Sequence, residues 1–316
     1  MDSLTRRTFL EMSALAAGAL VTSQRALASP FAAAEPHIEF PSAPRDRISI
    51  ASWPFRAFII SPKNEDRDSS VPGMGLKDFA GYVVGKFNVH NIEPYNWHFS
   101  SLDPAYLAGF RDAVTKAGAH VVNIAVDGEN SFYDPDSGVR QKAIAFAKKW
   151  IDAAVAIGSP SIRANDPQSS KSDPDVERAA ESLRQVADYA AEKNVVVNLE
   201  NDNPISEDPF FQVKVVEAVN HPYLHTLPDF GNSLAKGEDF NYRSVEAMFG
   251  HAYNICHVKA TVNDAKGNPH QVDLERTFKI LKASGYRGYC SIEYDQPGDP
   301  HEPTAKLVEE SVRFLS

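Results

Sequence analysis

Apolar residues fall along the chain in short runs: Ile48 to Ser52, Val89 to Glu93, His120 to Val126, Ser161 to Ala164, Val195 to Glu200, Leu224 to Pro228, Asn254 to Val258 and Tyr289 to Tyr294. Runs of this length, bounded by turn residues, predict buried strands. The segments between them carry helical spacing instead. Val139 to Ile157 sets Ile144, Ala147, Ile151, Ala154 and Val155 on one face. The same period predicts helices at Leu76 to Phe87, Pro104 to Ala117, Asp175 to Lys193, Pro209 to Val219, Tyr242 to Phe249, Leu274 to Ala283 and Pro303 to Leu315. Asp103, Asp208 and Asn241 stand where a side chain would cap a first turn, the two aspartates with Pro next. Eight strands alternating with eight helices predict an α/β fold, a single-domain (β/α)8 barrel over residues 47–316. Parallel strands need helical crossovers, and eight of them close without an edge.

The connections are unequal in length. Helix-to-strand links such as Lys116 to Ala119 and Gly158-Ser159-Pro160 are short. Strand-to-helix links such as Asp127 to Gly138, Ala164 to Asp173, Phe230 to Phe240 and Lys259 to Val272 are long and rich in Asn, Asp, Gly and Pro. One end of the barrel therefore carries elaborated loops, and function in such barrels sits at that end. An open doubly wound sheet would place a glycine-rich phosphate loop after the first strand, where this chain has Ser52-Trp53-Pro54-Phe55-Arg56.

Four successive strands finish on residues that bind metals: Glu200, Asp229, His257 and Glu293. Each alone has an ordinary reading: a solvated strand end, a cap for the turn at Phe230-Gly231-Asn232, a satisfied core histidine, an ion-pair partner. Together, on adjacent strands in one register, they crowd three carboxylates into a buried mouth, which costs several kcal/mol unless a cation resolves it. Three oxygen donors and one imidazole suit one divalent ion, Mn(II) first, with Mg(II), Co(II) or Zn(II) as alternatives. Lys259 faces the same side as His257 and is placed to meet an oxyanion or hydroxyl. Arg163 ends the fourth strand, and Glu93, Trp53, Phe55, Tyr95 and Trp97 follow the first two. Such aromatics suit the C–H faces of a sugar.

Composition narrows the partners. A net charge of -10 opposes a polyphosphate backbone, so nucleic acid is not expected. Two cysteines, Cys256 and Cys290, are too few for a disulfide framework and are expected as buried thiols, with a pair left open. Thr5-Arg6-Arg7-Thr8-Phe9-Leu10, the apolar run Ser13 to Val21 and Ala26-Leu27-Ala28 resemble a twin-arginine export signal over residues 1–28. That resemblance implies the export machinery as a partner and a folded protein in the periplasm or outside the cell. Residues 29–46, rich in Ala and Pro, are expected as a linker. No other run reaches the length of a membrane span, so stable membrane insertion is not expected. A homo-oligomer is left open.

The strand-end set Glu200, Asp229, His257 and Glu293 resembles that of the xylose isomerase-like sugar isomerase/epimerase superfamily of TIM barrels. That family includes the ketose 3-epimerases and endonuclease IV, and the likeness covers nearly all of residues 47–316. It implies that the four residues bind one divalent metal and that Glu200 and Glu293 flank the substrate and exchange its proton. Lys259, Arg163, Asn232, Glu93, Trp53 and Trp97 are then expected around the substrate. Two departures stand out. The ketose 3-epimerases carry Asp-x-x-His where this chain has Asp229-Phe230-Gly231-Asn232, and His-x-x-x-Asn-Asp-Arg-Gly where it has His257-Val258-Lys259-Ala260-Thr261. Both argue against a free-ketohexose epimerase. The first two strand ends also lack the further histidines of endonuclease IV.

The chemistry implied is proton abstraction next to a carbonyl through a metal-stabilised enediolate, giving isomerisation or epimerisation of a small carbohydrate. An exported lyase or hydratase eliminating from a 3-keto-glycoside would use the same enolate. A non-catalytic carbohydrate-binding barrel is the third reading.

Overall fold

In the computed structural model of the chain the described residues are 35–316. The expected export signal and the first part of the linker lie outside them. The remainder of the linker has no regular structure up to a short turn at Arg45–Arg47, yet it lies against the barrel. Phe40 packs edge-on to Tyr253 at 5.5 Å and Tyr289 at 6.1 Å, and the Tyr253 hydroxyl donates to Pro36 O at 2.8 Å.

The apolar runs are strands: Ile48–Ala51 (β1), Asn91–Glu93 (β2), His120–Val121 with Ile124–Val126 (β3), Ser161–Ala164 (β4), Val196–Glu200 (β5), Leu224–Leu227 (β6), Ile255–Val258 (β7) and Tyr289–Ile292 (β8). The helices are Leu76–Phe87 (α1), Pro104–Lys116 (α2), Ser137–Ile157 (α3), Val176–Lys193 (α4), Pro209–Val219 (α5), Glu238–Phe249 (α6), Leu274–Ala283 (α7) and His301–Leu315 (α8). Every pairing between neighbouring strands is parallel. β8 returns to β1 with Cys290 opposite Ile48, and β6 meets β7 through single bridges at Thr226 with Ala252 and Asp229 with His257. The ring is thus closed, as alternation predicts. No helix among the described residues is long and apolar enough to cross a membrane.

β3 is one strand bent at Val122 and Asn123. Its first half pairs with β2 and its second with β4. Asn123 is buried at the bend and turns its amide into the barrel. There Asn254 Nδ2 donates to Ser161 Oγ (2.8 Å), and Ser161 Oγ donates to Asn123 Oδ1. Asn123 Nδ2 in turn donates to Glu93 Oε1 at 2.6 Å. The interior is therefore threaded by amides and hydroxyls that pair with one another, as buried polar groups must. Cys256 and Cys290 face each other across β7 and β8 as buried free thiols, sulfurs 3.7 Å apart.

Two helix starts differ from expectation. Asp208 does cap α5, accepting from Phe210 N and Phe211 N, but Asp103 makes no side-chain cap to α2. Asn241 lies inside α6, which begins at Glu238 after Gly237, and its amide instead donates to Phe230 O at 2.9 Å. A buried partner on the loop after β6 outweighs the cap that its position suggests.

Buried carboxylates also tie the loops of the mouth together. Asp166, after β4, accepts from Ser131 Oγ (2.9 Å) and Phe132 N (2.8 Å) on the loop after β3. Its own amide donates to Glu207 Oε1, on the loop after β5, at 2.7 Å. Burial raises Asp166 to about 7, against the pull of those donors. The folded chain thus holds a proton there that the unfolded chain releases near pH 4. That stabilisation is full below the unfolded value and is lost as pH rises through about 7, by up to about 4 kcal/mol. Asp166→Asn, which keeps an acceptor for Ser131 and Phe132, should raise Tm at pH 8 and change it little at pH 5. Thermal melts at the two pH values check this, and an equal shift at both would count against it.

Candidate active site

The C-terminal ends of β5 to β8 deliver Glu200, Asp229, His257 and Glu293 to one buried point, where one donor atom from each lies within 4.8 Å of the others. Each is held by its strand or the turn after it. Asp229 does two jobs. Its Oδ1 accepts from Gly231 N (2.8 Å) and Asn232 N (2.7 Å), closing the turn, while Oδ2 points into the cluster. Asn201, next to Glu200, accepts from Asp229 N at 2.7 Å and so ties two ligand-bearing strand ends together. A Cβ on Gly231 would come within 2.7 Å of Val262 Cγ1, so only glycine lets the Thr261–Asn263 ribbon lean on this turn.

His257 is the centre of the cluster. Its Nδ1 lies 2.7 Å from Glu200 Oε1 and 3.1 Å from Glu293 Oε2. Its Nε2 lies 3.0 Å from Glu93 Oε2, and Glu93 is buried at the end of β2. Burial alone would discharge the imidazole, but Glu200, Glu293 and Glu93 outweigh it and hold its pKa well above the ordinary value. Burial raises Glu200, and burial raises Asp229 to about 6. Burial also pushes Glu293 upward, but His257 and Lys259 overcome it and hold Glu293 below the usual carboxylate range.

Lys259 Nζ donates to Asn232 Oδ1 at 2.9 Å and stands 3.1 Å from Glu293 Oε2 and 3.5 Å from Asp229 Oδ2. Arg163 pairs with Asp127, and its Nε lies 3.0 Å from Glu200 Oε2. Four buried carboxylates, Glu93, Glu200, Asp229 and Glu293, thus face two fixed cations. With His257 neutral, as a metal ligand is, two negative charges remain, before Asp127 claims its share of Arg163; without a metal the imidazolium offsets one of them. Asp229 Oδ2 is buried and accepts no hydrogen bond among the described residues, Lys259 Nζ lying 3.5 Å away, whereas Glu293 Oε2 is shared between His257 Nδ1 and Lys259 Nζ. Charge, donor types and the open Asp229 oxygen fit a single divalent cation. Nδ1 of His257 would then be the ligand, with its Nε2–H donated to Glu93, the arrangement that fixes tautomer and ring orientation in histidine metal sites.

Above the cluster is a pocket of about 530 Å³ whose walls include Trp53, Tyr95, Asp127, Arg163, Asp202 and Asp295. Trp53 is fixed on the rim, its indole N–H donating to Asp295 at 3.1 Å and its ring under Arg56 at 4.5 Å. The other expected residues divide. Lys259 and Arg163 reach the pocket. Asn232 stands behind them, between Lys259 and Glu200, whose Oε1 lies 3.4 Å from its amide. Glu93 lines the floor but is engaged with His257. Phe55 is wholly buried against Phe79 and Phe87, away from the pocket. Trp97 does not line the pocket either. The turn at Asn96–His98 carries it outward to an adjoining groove, against Phe146 and beside Lys63. Asp127, Asn123, Asn201, Asp202 and Asp295 were not singled out from sequence. Asp127, Asn201, Asp202 and Asp295 lie one to three residues beyond strand ends, where the strand period no longer says which side chains turn inward.

Fold and cluster define a (β/α)8 barrel with a cluster of side chains able to hold a metal at its C-terminal mouth. The chain belongs to the xylose isomerase-like TIM barrel family, whose pattern matches residues 86–316. It is similar to the L-ribulose-5-phosphate 3-epimerase of Escherichia coli, 26% identical over 207 residues, 62% of this chain and 72% of that protein. D-allulose 3-epimerase from Methylomonas sp. superposes with a TM-score of 0.61 at 17% identity, over 88% of this chain and 99% of that one. A xylose isomerase-like TIM barrel protein from Mycobacterium smegmatis in complex with magnesium superposes with a TM-score of 0.64 at 18% identity, over 85% and 96%.

Because Glu93 acts through His257, Glu93→Gln should weaken Mn(II) or Mg(II) binding about 10- to 100-fold without removing a ligand. Calorimetric titration of each ion into the chelator-stripped protein reads this directly. An unchanged affinity would leave Glu93 a bystander.

Proposed function

We propose that this chain is a divalent-metal-dependent isomerase or epimerase of a sugar or sugar derivative. The observation that carries the reading is the placing of two buried carboxylates, Glu200 and Glu293, both at His257 Nδ1 and both lining the pocket at the barrel mouth. The epimerase named among its sequence relatives supports the choice of isomerase or epimerase over elimination.

A bound Mn(II), or Mg(II) in its place, supplies a Lewis acid that polarises a substrate carbonyl. Glu200, Asp229, His257 and Glu293 would hold it. One of Glu200 and Glu293 removes the proton from the carbon beside the carbonyl and the other returns it, on the opposite face for epimerisation or at the neighbouring carbon for isomerisation. Lys259 offers its ammonium to the oxygen on which charge develops, and Asn232 keeps that ammonium in place. Arg163 holds the second oxygen of Glu200, so that carboxylate cannot swing away. Trp53 and Tyr95 close the pocket with ring edges at 78° to each other, leaving apolar surface for the C–H face of a sugar. The Arg6-Arg7 segment adds the proposal that the folded protein is exported by the twin-arginine route, which fractionation of expressing cells checks.

The reaction class predicts wash-in of solvent hydrogen. In D2O, metal-loaded protein should place deuterium on the carbon next to the carbonyl of a ketose, seen by NMR. Glu200→Gln and Glu293→Gln, each assayed at a metal concentration that saturates the variant, should lower exchange by about 10²- to 10⁴-fold. Exchange at the wild-type rate in either variant, or none in the wild type with any ketose, would overturn the assignment.

A further inference from the structure

The mouth of the barrel extends beyond the central pocket. Tyr95 is shared between that pocket and a groove of about 1110 Å³ whose walls include Lys63, Glu65, Asp66, Trp97 and Glu129. The two spaces are joined through the loop after β3 as well. Asp127 lines the pocket and accepts from the Tyr95 hydroxyl at 2.8 Å, and Gly128 and Glu129, next in the chain, line the groove. Trp97 is half-buried there, one side on Phe146 and the other beside the exposed Lys63, whose Nζ is 5.4 Å from the ring centre.

The charges of this extended site are one-sided. The pocket is lined by six carboxylates against Arg163 and Lys259, and the groove by three against Lys63. The cations around the pocket are already engaged: Arg163 with Asp127 and Glu200, Lys259 with Glu293 and Asp229, Arg56 with Asp295. In barrels of this fold a phosphate is commonly received by the last two strand-to-helix loops and a helix start beside them. Here the loop after β8 carries Asp295 and Asp299, the loop after β7 carries Asp264 beside the exposed Lys266, and the first amide of α8, His301 N, already donates to Asp299 at 3.0 Å. A phosphate group arriving at this mouth meets carboxylates, guanidinium groups that are already engaged and, in the groove, one lysine, Lys63, among three acids. A neutral ring that displaces the exposed Lys63 from Trp97 meets an indole face in a groove also lined by the acceptors Asp66 and Glu129, the arrangement that suits a sugar.

We propose that the substrate is an unphosphorylated sugar carrying a second, uncharged glycosyl ring, which lies in the groove on Trp97 with its hydroxyls toward Asp66 and Glu129. This rests on the sugar chemistry proposed for the pocket and parts from the phosphate-ester substrate in the name of the Escherichia coli relative. Three probes that differ at one oxygen test it: D-fructose, D-fructose 6-phosphate and 6-O-glucosyl-fructose, titrated calorimetrically into the full-length, Mn(II)-loaded protein. The glucosyl sugar should bind about tenfold tighter than fructose, and the phosphate ester weaker than fructose. Trp97→Ala should bring the glucosyl sugar to the Kd of fructose. Glu129→Lys, at an exposed position that leaves folding intact even if the tryptophan variant does not fold, should strengthen phosphate-ester binding several-fold. A phosphate ester that binds as tightly as the glucosyl sugar, a Trp97→Ala variant that weakens fructose equally, or binding of none of the three overturns the proposal. Binding in the predicted order without deuterium exchange overturns the isomerase reading and leaves this one standing.

Discussion

The pairing of His257 with Glu93 is the contact on which the site depends. A buried imidazole can turn either nitrogen toward a cation, and only a fixed acceptor on the far side decides which. Glu93 is that acceptor, at 3.0 Å from Nε2, and it is itself held by Asn123. Asn123 is in place because β3 bends there, and its other end is tied through Ser161 to Asn254. The geometry of one ligand is thus set by a hydrogen-bonded thread that runs through the barrel between strands far apart in sequence. An aliphatic interior would pack as well, but it would take away the amide that fixes Glu93 and leave that carboxylate held by His257 with less to orient it.

The second constraint is charge. Glu200, Asp229 and Glu293 cannot share one buried point as three free anions, and Lys259 and Arg163 offset only part of the excess. Strand rigidity keeps the carboxylates from separating: Asp229 is pinned by Asn201 and by its own turn, Glu200 by Arg163. A site whose carboxylates are held together in this way, and which without a cation must take up protons to offset their charge, is suited to a divalent ion. The loops above are tied by the same means, since Asp166 and Glu207 join the connections after β3, β4 and β5 by accepting backbone amides.

Much of this was legible in the sequence because it follows from period. Alternating strand and helix patterns predict the barrel, and residues at or just past the C-terminal end of a strand sit at its mouth, which makes Glu200, Asp229, His257 and Glu293 stand out. Sequence separates site from core less well past the strand ends. Phe55 and Trp97 both follow strands as aromatics do at a sugar site, yet one turns inward under α1 and the other outward to a groove, because short 3-10 turns break the period. Asn241 reads as a cap from position alone and is recruited inside α6 by Phe230 O. Glu93 is visible as a strand-end acid, but its bond to His257, 164 residues away, is a consequence of barrel closure that no local pattern carries.

The excess of carboxylate that demands a cation also shapes what can approach it. Once a divalent ion balances the buried cluster, the outer ring of Asp127, Asp202 and Asp295 is still negative, with Arg163 and Arg56 spent on pairing within it. Field lines in such a cleft concentrate on its mouth and work against an anionic group at the far end of a substrate. Affinity there must come from contacts that carry no charge, and those on offer are the ring faces of Trp53, Tyr95 and Trp97 with acceptors for hydroxyl groups beside them. The proposed metal and the proposed neutral sugar therefore rest on one feature: an acidic barrel mouth whose few cations are already paired.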